Sequence, residues 1–268
     1  MKNKSKKQHT FVVLAYKESQ YLEQCLKSVL NQEYLSDVVI ATSTPNAYIQ
    51  GLADKYGLEV IVNPHAGKGI GYDFDFARTC IDSPLVTIAH QDDIYEHSYS
   101  RKVVDAYHQN PRALIIFSDY YEIKNNEKVY DNTNLKIKRI LLKPLKFKNL
   151  RNTKFGKRSV LRFGNAICCP AVTFVSANIQ LASVFKSDLT CNIDWEGWEK
   201  LSLEKGGFVF IPECLMGHLV YEGSTTTAII NSNIRTKEDL IILKKFWPKP
   251  IATAINAFYK NAEKSNKI

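Results

Sequence analysis

The chain has 268 residues, 45% of them apolar and 24% charged, and carries a formal net charge of +9. That balance excludes an intrinsically disordered protein, and the length suits one large core or a domain with an appendage. No apolar run reaches the ~18 residues of a membrane-spanning helix, and no secretory core follows the lysine-rich start, so a cytoplasmic location is expected.

In chain order, apolar runs predict strands at residues 10–15, 37–41, 58–62, 85–89 and 113–117. Between them, helical spacing predicts helices over 21–31, 47–56, 72–81 and 98–109, the last stopped by Asn110-Pro111. Strands alternating with crossover helices imply an α/β fold with a mainly parallel central sheet flanked by helices, whose ligands lie outside the carboxyl ends of the strands. The second half is less regular. Strands are expected at 171–175 and 208–211, and helices around 179–185 and 195–204. Two further helical pieces, between about 237 and 262 and interrupted by Trp247-Pro248-Lys249-Pro250, form a C-terminal helical appendage. The expected organisation is a basic tail (1–9), a catalytic domain (10–230) with halves at 10–120 and 121–230, and the appendage (231–268).

Residues 136–162 hold eleven Lys or Arg and no Asp or Glu, interleaved with Leu and Phe. Anionic lipid, nucleic acid, a phosphate-rich ligand or solvent alone would all suit such a segment. The six cysteines (Cys25, Cys80, Cys168, Cys169, Cys191, Cys214) form no CxxC pair, so reduced, mostly buried thiols are expected.

The tetrad Gln91-Asp92-Asp93-Ile94 directly follows the 85–89 strand. Adjacent carboxylates at a buried strand end resist joint ionisation, and a divalent cation removes that difficulty. Hard oxygen ligands suit Mg²⁺ or Mn²⁺, ions that commonly carry phosphate oxygens as their other ligands. Capping of the next helix is the plainer alternative. A dinucleotide-binding fold is excluded by Tyr16-Lys17-Glu18-Ser19 after the first strand, which lacks the glycine fingerprint. The glycines of His65-Ala-Gly-Lys-Gly-Ile-Gly71 form no P-loop and read as a mobile turn or a close approach to ligand.

Several ordered segments then resemble the family 2 glycosyltransferases, inverting enzymes with the GT-A fold, over residues 10–227. They are Phe11-Val-Val-Leu-Ala-Tyr16 with the helix after it, Ala77-Arg78-Thr79, Ala89-His-Gln-Asp-Asp-Ile-Tyr95, Asp194-Trp195-Glu196-Gly197-Trp198, Gly206-Gly-Phe-Val-Phe-Ile-Pro212 and His218 to Thr226. The resemblance implies a nucleotide-diphosphate sugar donor contacted by Ala15, Tyr16, Glu18, Thr42, Lys68, Arg78, Gln91, Asp92 and Asp93. It implies Mn²⁺ or Mg²⁺ held by Asp93 with His218, Asp194 as general base, and Trp195 and Trp198 on the acceptor side. The chain departs from the family in carrying Ala41-Thr42-Ser43-Thr44 where members often have a base-reading aspartate. Lys17 and Thr79 stand where Asn is usual, and Ile193 replaces a Glu.

The expected product is a surface glycan such as lipopolysaccharide or capsule, made on a saccharide acceptor, in one version a polyprenyl-diphosphate-linked one at the inner face of the membrane. A nucleic-acid-binding module is the rival from another class, although no nucleic-acid fold accompanies the basic segment and no nucleic-acid partner is expected. A catalytically inactive relative serving as an assembly subunit is the second rival.

Overall fold

A computed structural model describes residues 7–221 and 234–265. Residues 1–6 of the basic tail, 222–226 of the segment beginning at His218, and the expected boundary at 230 lie outside the described residues. The four strands β1 (His9–Ala15), β2 (Asp37–Thr42), β3 (Glu59–Val62) and β4 (Leu85–His90) pair in parallel in the order β3-β2-β1-β4. In β1 and β4 nearly every residue is buried, as unbroken apolar runs require when both faces of a sheet are covered. The crossovers are α1 (Leu22–Leu30), α2 (Ala47–Tyr56) and α3 (Ile70–Thr79). The ends of α2 follow from its flanks: Asn46 accepts the Ile49 N–H at 2.9 Å, and Gly57 adopts the left-handed φ of 64° that ends the helix.

After β4 the chain turns through Gln91–Asp93 into β5 (Ile94–Tyr95), α4 (Tyr99–Gln109), β6 (Ala113–Lys124) and β7 (Glu127–Val129). Helices α5 (Thr133–Leu142), α6 (Lys148–Arg151) and α7 (Lys154–Ser159) carry the basic segment. There follow β8 (Val172–Val175), α8 (Ile193–Leu203), β9 (Gly207–Leu219), α9 (Ile234–Leu243) and α10 (Lys249–Ser265). The sheet continues from β4 through β8, β6 and β9 to β5. Its parallel character holds in the first half and again between β6 and β9, while β8 lies antiparallel to both β4 and β6. Strands β6 and β9 run well past the apolar stretches 113–117 and 208–211: Ser118, Asp119 and Glu122 break the apolar pattern of β6, and its pairing with β9 resumes after register shifts around Asp119.

The helix expected at 179–185 does not form. Buried Asp75 accepts the N–H groups of Val184 (2.8 Å), Phe185 (3.0 Å) and Lys186 (3.0 Å) and the Ser183 hydroxyl (2.6 Å), so these amides bond α3 instead of a helical ladder. Gly71 permits the approach, since a Cβ there would fall 2.3 Å from the Phe185 carbonyl oxygen. A second carboxylate, Glu238 of α9, accepts the N–H groups of Thr190, Cys191 and Asn192 at 2.7–3.0 Å, just before α8 begins. Ile242, Leu243 and Ala252 join Trp198 and Phe185 in one buried cluster, so α9 and α10 share the main core.

Several cations of the basic segment face inward. Arg139 pairs with Asp119 at 2.6 Å, Arg158 with Glu199 at 2.5 Å, and Arg151 with Asn110. Lys157 is buried against the carbonyls of Glu204 and Gly206, and burial pushes its pKa down to about 8.

Candidate active site

The parallel arrangement brings the ends of β1, β2 and β4 together. Gln91 at the end of β4 grips Tyr16 at the end of β1 twice, accepting its N–H at 2.9 Å and donating to its carbonyl at 3.1 Å. Lys17 sits in the left-handed region at φ 55° and donates its N–H to Thr44 Oγ1 at 2.6 Å. The first loop is thereby tied to both neighbouring strands.

Asp93 is fully buried. Its Oδ1 accepts the Leu219 N–H at 3.1 Å and meets His218 Nδ1 at 2.9 Å, whereas Oδ2 has no hydrogen-bond partner and lies 3.9 Å from His90 Nδ1. His90, Asp92 and Asp93 each offer a ligand atom, and these atoms lie within 4.8 Å of one another. Burial, and then the charge of Asp93, raise the pKa of Asp92. Burial opposes charging of His218, yet the Asp93 carboxylate in contact with it, helped by Asp92, raises its pKa overall. Burial and the neighbouring Asp92 also push the Tyr221 hydroxyl up to about 12.

These residues fit a divalent cation. Asp93 Oδ2 and His90 Nε2 are buried without hydrogen-bond partners, which a metal ligand at either atom would relieve. Two carboxylates with an imidazole suit Mn²⁺ better than an all-oxygen Mg²⁺ shell. His90 stacks on Phe74 with ring centroids 5.1 Å apart, and as a single histidine inside a motif it carries no spacing signal in the sequence. His218 reaches the cluster through Asp93. It is brought there by β9, where Gly217 pairs with Ile94 and leaves room for the Tyr121 ring, 2.6 Å from where a Cβ would stand.

Asp194 begins α8. Its Oδ1 accepts the Trp195 N–H at 2.8 Å and its Oδ2 accepts from Asn165 Nδ2 at 2.6 Å, while burial raises its pKa. The charges of Asp93 and Asp194 both act on Cys168 and Cys169. Burial first, then those charges, push both thiols up, in keeping with inert cysteines.

Of the other expected contacts, Trp195, Trp198 and Arg78 lie away from the carboxylate cluster, whereas Ala15, Thr42, Glu18 and Lys68 fall at or beyond the ends of β1, β2 and β3. Trp195 is buried and donates its indole N–H to the Leu161 carbonyl at 3.0 Å, and Trp198 is enclosed by Phe174 and Phe185, so neither presents a ring to a sugar. Arg78 is buried at the far end of α3, beside Asp75 and the Leu181 carbonyl, and lines a 440 Å³ cavity with Ser83 and Ser176. Since α3 runs back along the sheet, that cavity lies at the end opposite Gln91. Thr42 is buried, with its hydroxyl accepting the Thr44 N–H at 3.0 Å. Ala15 is buried at the end of β1, while Glu18 and Lys68 are exposed on loops at the ends of β1 and β3. A carboxylate does reach the end of β2, from α3: Asp73 accepts from Ser43 Oγ at 3.2 Å and Asn63 Nδ2 at 2.7 Å.

The profile described as Glycosyl transferase family 2 matches residues 10–174, more than half of the chain. Among solved structures, S. aureus TarS 1-349 in complex with UDP-GlcNAc is similar at 14% identity and a TM-score of 0.62, covering 96% of this chain and 73% of that one. Mannosyltransferase PcManGT from Pyrobaculum calidifontis in complex with GDP-Man and Mn²⁺ is similar at 13% identity and a TM-score of 0.59, covering 93% and 68%. The chain spans 43% of the longer S. aureus TarS structure, again with a TM-score of 0.59. No curated protein sequence matches significantly. With its GT-A-type sheet and the matched segment running from β1 to β8, the protein is a glycosyltransferase that belongs to glycosyl transferase family 2.

Proposed function

We propose that the protein transfers a sugar from a nucleoside diphosphate donor to an acceptor hydroxyl with inversion, using Asp194 as general base. The observation that carries the reading is the partnerless, buried Oδ2 of Asp93 beside His90 and Asp92 at the carboxyl ends of β1 and β4. The solved relatives hold UDP-GlcNAc or GDP-Man, which supports a donor of that class here. A divalent cation held by His90, Asp92 and Asp93 would supply a Lewis acid against the charge gathering on the leaving diphosphate.

In the transfer, the acceptor oxygen forms a bond to the anomeric carbon as the bond from that carbon to the diphosphate oxygen breaks. Asp194 takes the hydroxyl proton, and the nucleoside diphosphate departs with the electron pair. Burial raises the pKa of Asp194, which makes its carboxylate a stronger base than an ordinary one. Asn165, bonded to Oδ2, fixes its direction. Tyr16, Lys17 and Gln91 shape the donor side, and Asp73 with Ser43 and Asn63 supplies polar groups at the end of β2 where a base would lie.

A phosphate-bearing or lipid-linked acceptor, peripheral contact with an anionic membrane, and a place in surface glycan synthesis complete the reading. Phe147 (64% exposed) and Phe155 (68% exposed) stand among exposed Lys146, Lys148 and Lys154, which supports such contact. No helix among the described residues is long and apolar enough to cross a membrane. The inward use of Arg139, Arg151, Lys157 and Arg158 weighs against a continuous nucleic-acid-binding surface. Calorimetric titration of UDP-, GDP- and dTDP-sugars, with Mn²⁺ and with chelator, tests the proposal. Metal-dependent binding of one class is expected, and binding of none would reject it.

A further inference from the structure

The transfer proposed above leaves one cation beside the site without a role. Lys138 lies on the inner face of α5, in the spacing Leu135, Lys138, Arg139, Leu142 that turns toward the core, where Leu135 and Leu142 are buried. Its neighbour Arg139 has a carboxylate partner in Asp119. Lys138 has none: among the described residues no carboxylate oxygen lies within 4.0 Å of its Nζ, which donates instead to the Tyr120 hydroxyl at 2.8 Å. Tyr120 in turn meets His218 edge-on with ring centroids 6.3 Å apart, and His218 touches Asp93 at 2.9 Å. Lys138 is thereby linked through the Tyr120 ring to His218 and the carboxylate cluster.

An ammonium has three donors, and among the described residues Lys138 gives one of them to the Tyr120 phenol. Lys157 shows the other solution within the same chain, with two backbone carbonyls around its ammonium and a pKa pushed down to about 8. Lys138 has one neutral partner, and the ring of that partner meets His218 beside the carboxylate cluster. Phosphate oxygens are the anions a lysine recognises as a point charge.

We propose that Lys138 binds a phosphate group of a substrate in the transfer site. The phosphate belongs either to the diphosphate of the donor or to the acceptor, and the inference rests on the glycosyltransferase reading given above. The probes are UDP and GDP, each titrated with Mn²⁺ into the full-length protein, followed by inorganic phosphate and pyrophosphate titrated into the nucleotide-saturated protein. In Lys138→Met, one of these affinities is expected to fall about tenfold or more, while Lys138→Arg keeps most of it. Loss in the nucleotide arm assigns the donor diphosphate, and loss in the second arm assigns an acceptor phosphate. Lys138→Gln, checked by circular dichroism, replaces Lys138→Met if the latter does not fold.

Folded variants that bind in both arms like the wild type would overturn the inference while leaving the glycosyltransferase reading intact. Wild-type protein that binds pyrophosphate through Lys138 but no nucleoside diphosphate would overturn that reading and keep the anion site. Wild-type protein that binds neither anion overturns both.

Discussion

Around residues 183–192, Asp75 and Glu238 each meet three backbone N–H groups, whereas at the ends of β1 and β4 Asp93 keeps one buried oxygen without a hydrogen bond. All three acids are buried. The first two are answered from within the chain and fix its course, one tying α3 to the loop before α8 and the other tying α9 to the start of α8. The third is answered only in part, by His218 and the Leu219 amide, and its free oxygen turns toward His90. Saturated carboxylates hold the scaffold, and the unsaturated one marks where an external cation would complete the structure.

The largest effect expected is on the proposed general base. Asp194→Asn keeps the fold and donor binding but lowers transfer by ~10²–10⁴-fold, measured as turnover beside donor affinity. Near-normal turnover would remove Asp194 from the mechanism. Because burial raises the pKa of Asp194, the acid limb of kcat/KM should fall at a higher pH than an ordinary carboxylate gives, with activity lost as the pH drops through it.

Acid stability sharpens the scaffold side. His9 is buried between Ser36 and Thr87, and burial lowers its pKa from 6.5 to about 3. A depressed histidine contributes its full stability above pH 6.5 and loses it as the pH falls toward 3, an expected loss on the order of 4 kcal/mol at the lower end. Denaturant unfolding across that range should show the slope, and His9→Gln should flatten it.

Asp75→Asn removes acceptor capacity from a site with four donors. A loss of about 3 kcal/mol is expected, read as a lower melting temperature with the metal dependence of nucleotide binding unchanged. If Asp75→Asn abolished nucleotide binding in a folded protein, the division between scaffold acids and site acids would fail. The smallest effect belongs to Trp195→Phe, which loses the hydrogen bond to the Leu161 carbonyl and costs about 1 kcal/mol of stability with little change in acceptor KM. A large rise in acceptor KM would restore Trp195 as a sugar contact.

The same contrast explains what could be read from the residues alone. Strands β1 and β4 and helix α2 were legible because unbroken apolar runs and helical spacing are local signals. The Asp92-Asp93 pair was legible because two adjacent charges at a strand end are costly without a partner. The segment from 179 to 192 was not, since its amides are claimed by Asp75 and Glu238 from elements distant in sequence. The position of Arg78 depended on the direction of α3, and the burial of Trp195 and Trp198 on how α8 packs against β8 and the 183–185 loop. Charge counting treated residues 136–162 as one surface, but helix phase divides them between core and solvent.

The most direct measurement is nucleotide affinity with Mn²⁺ and with chelator, in wild type and in Asp93→Asn. Nucleoside diphosphate binding that needs the metal in the wild type and loses that dependence in folded Asp93→Asn is the predicted result. Equal affinity with Mn²⁺ and with chelator in the wild type would contradict the role given to the partnerless carboxylate oxygen.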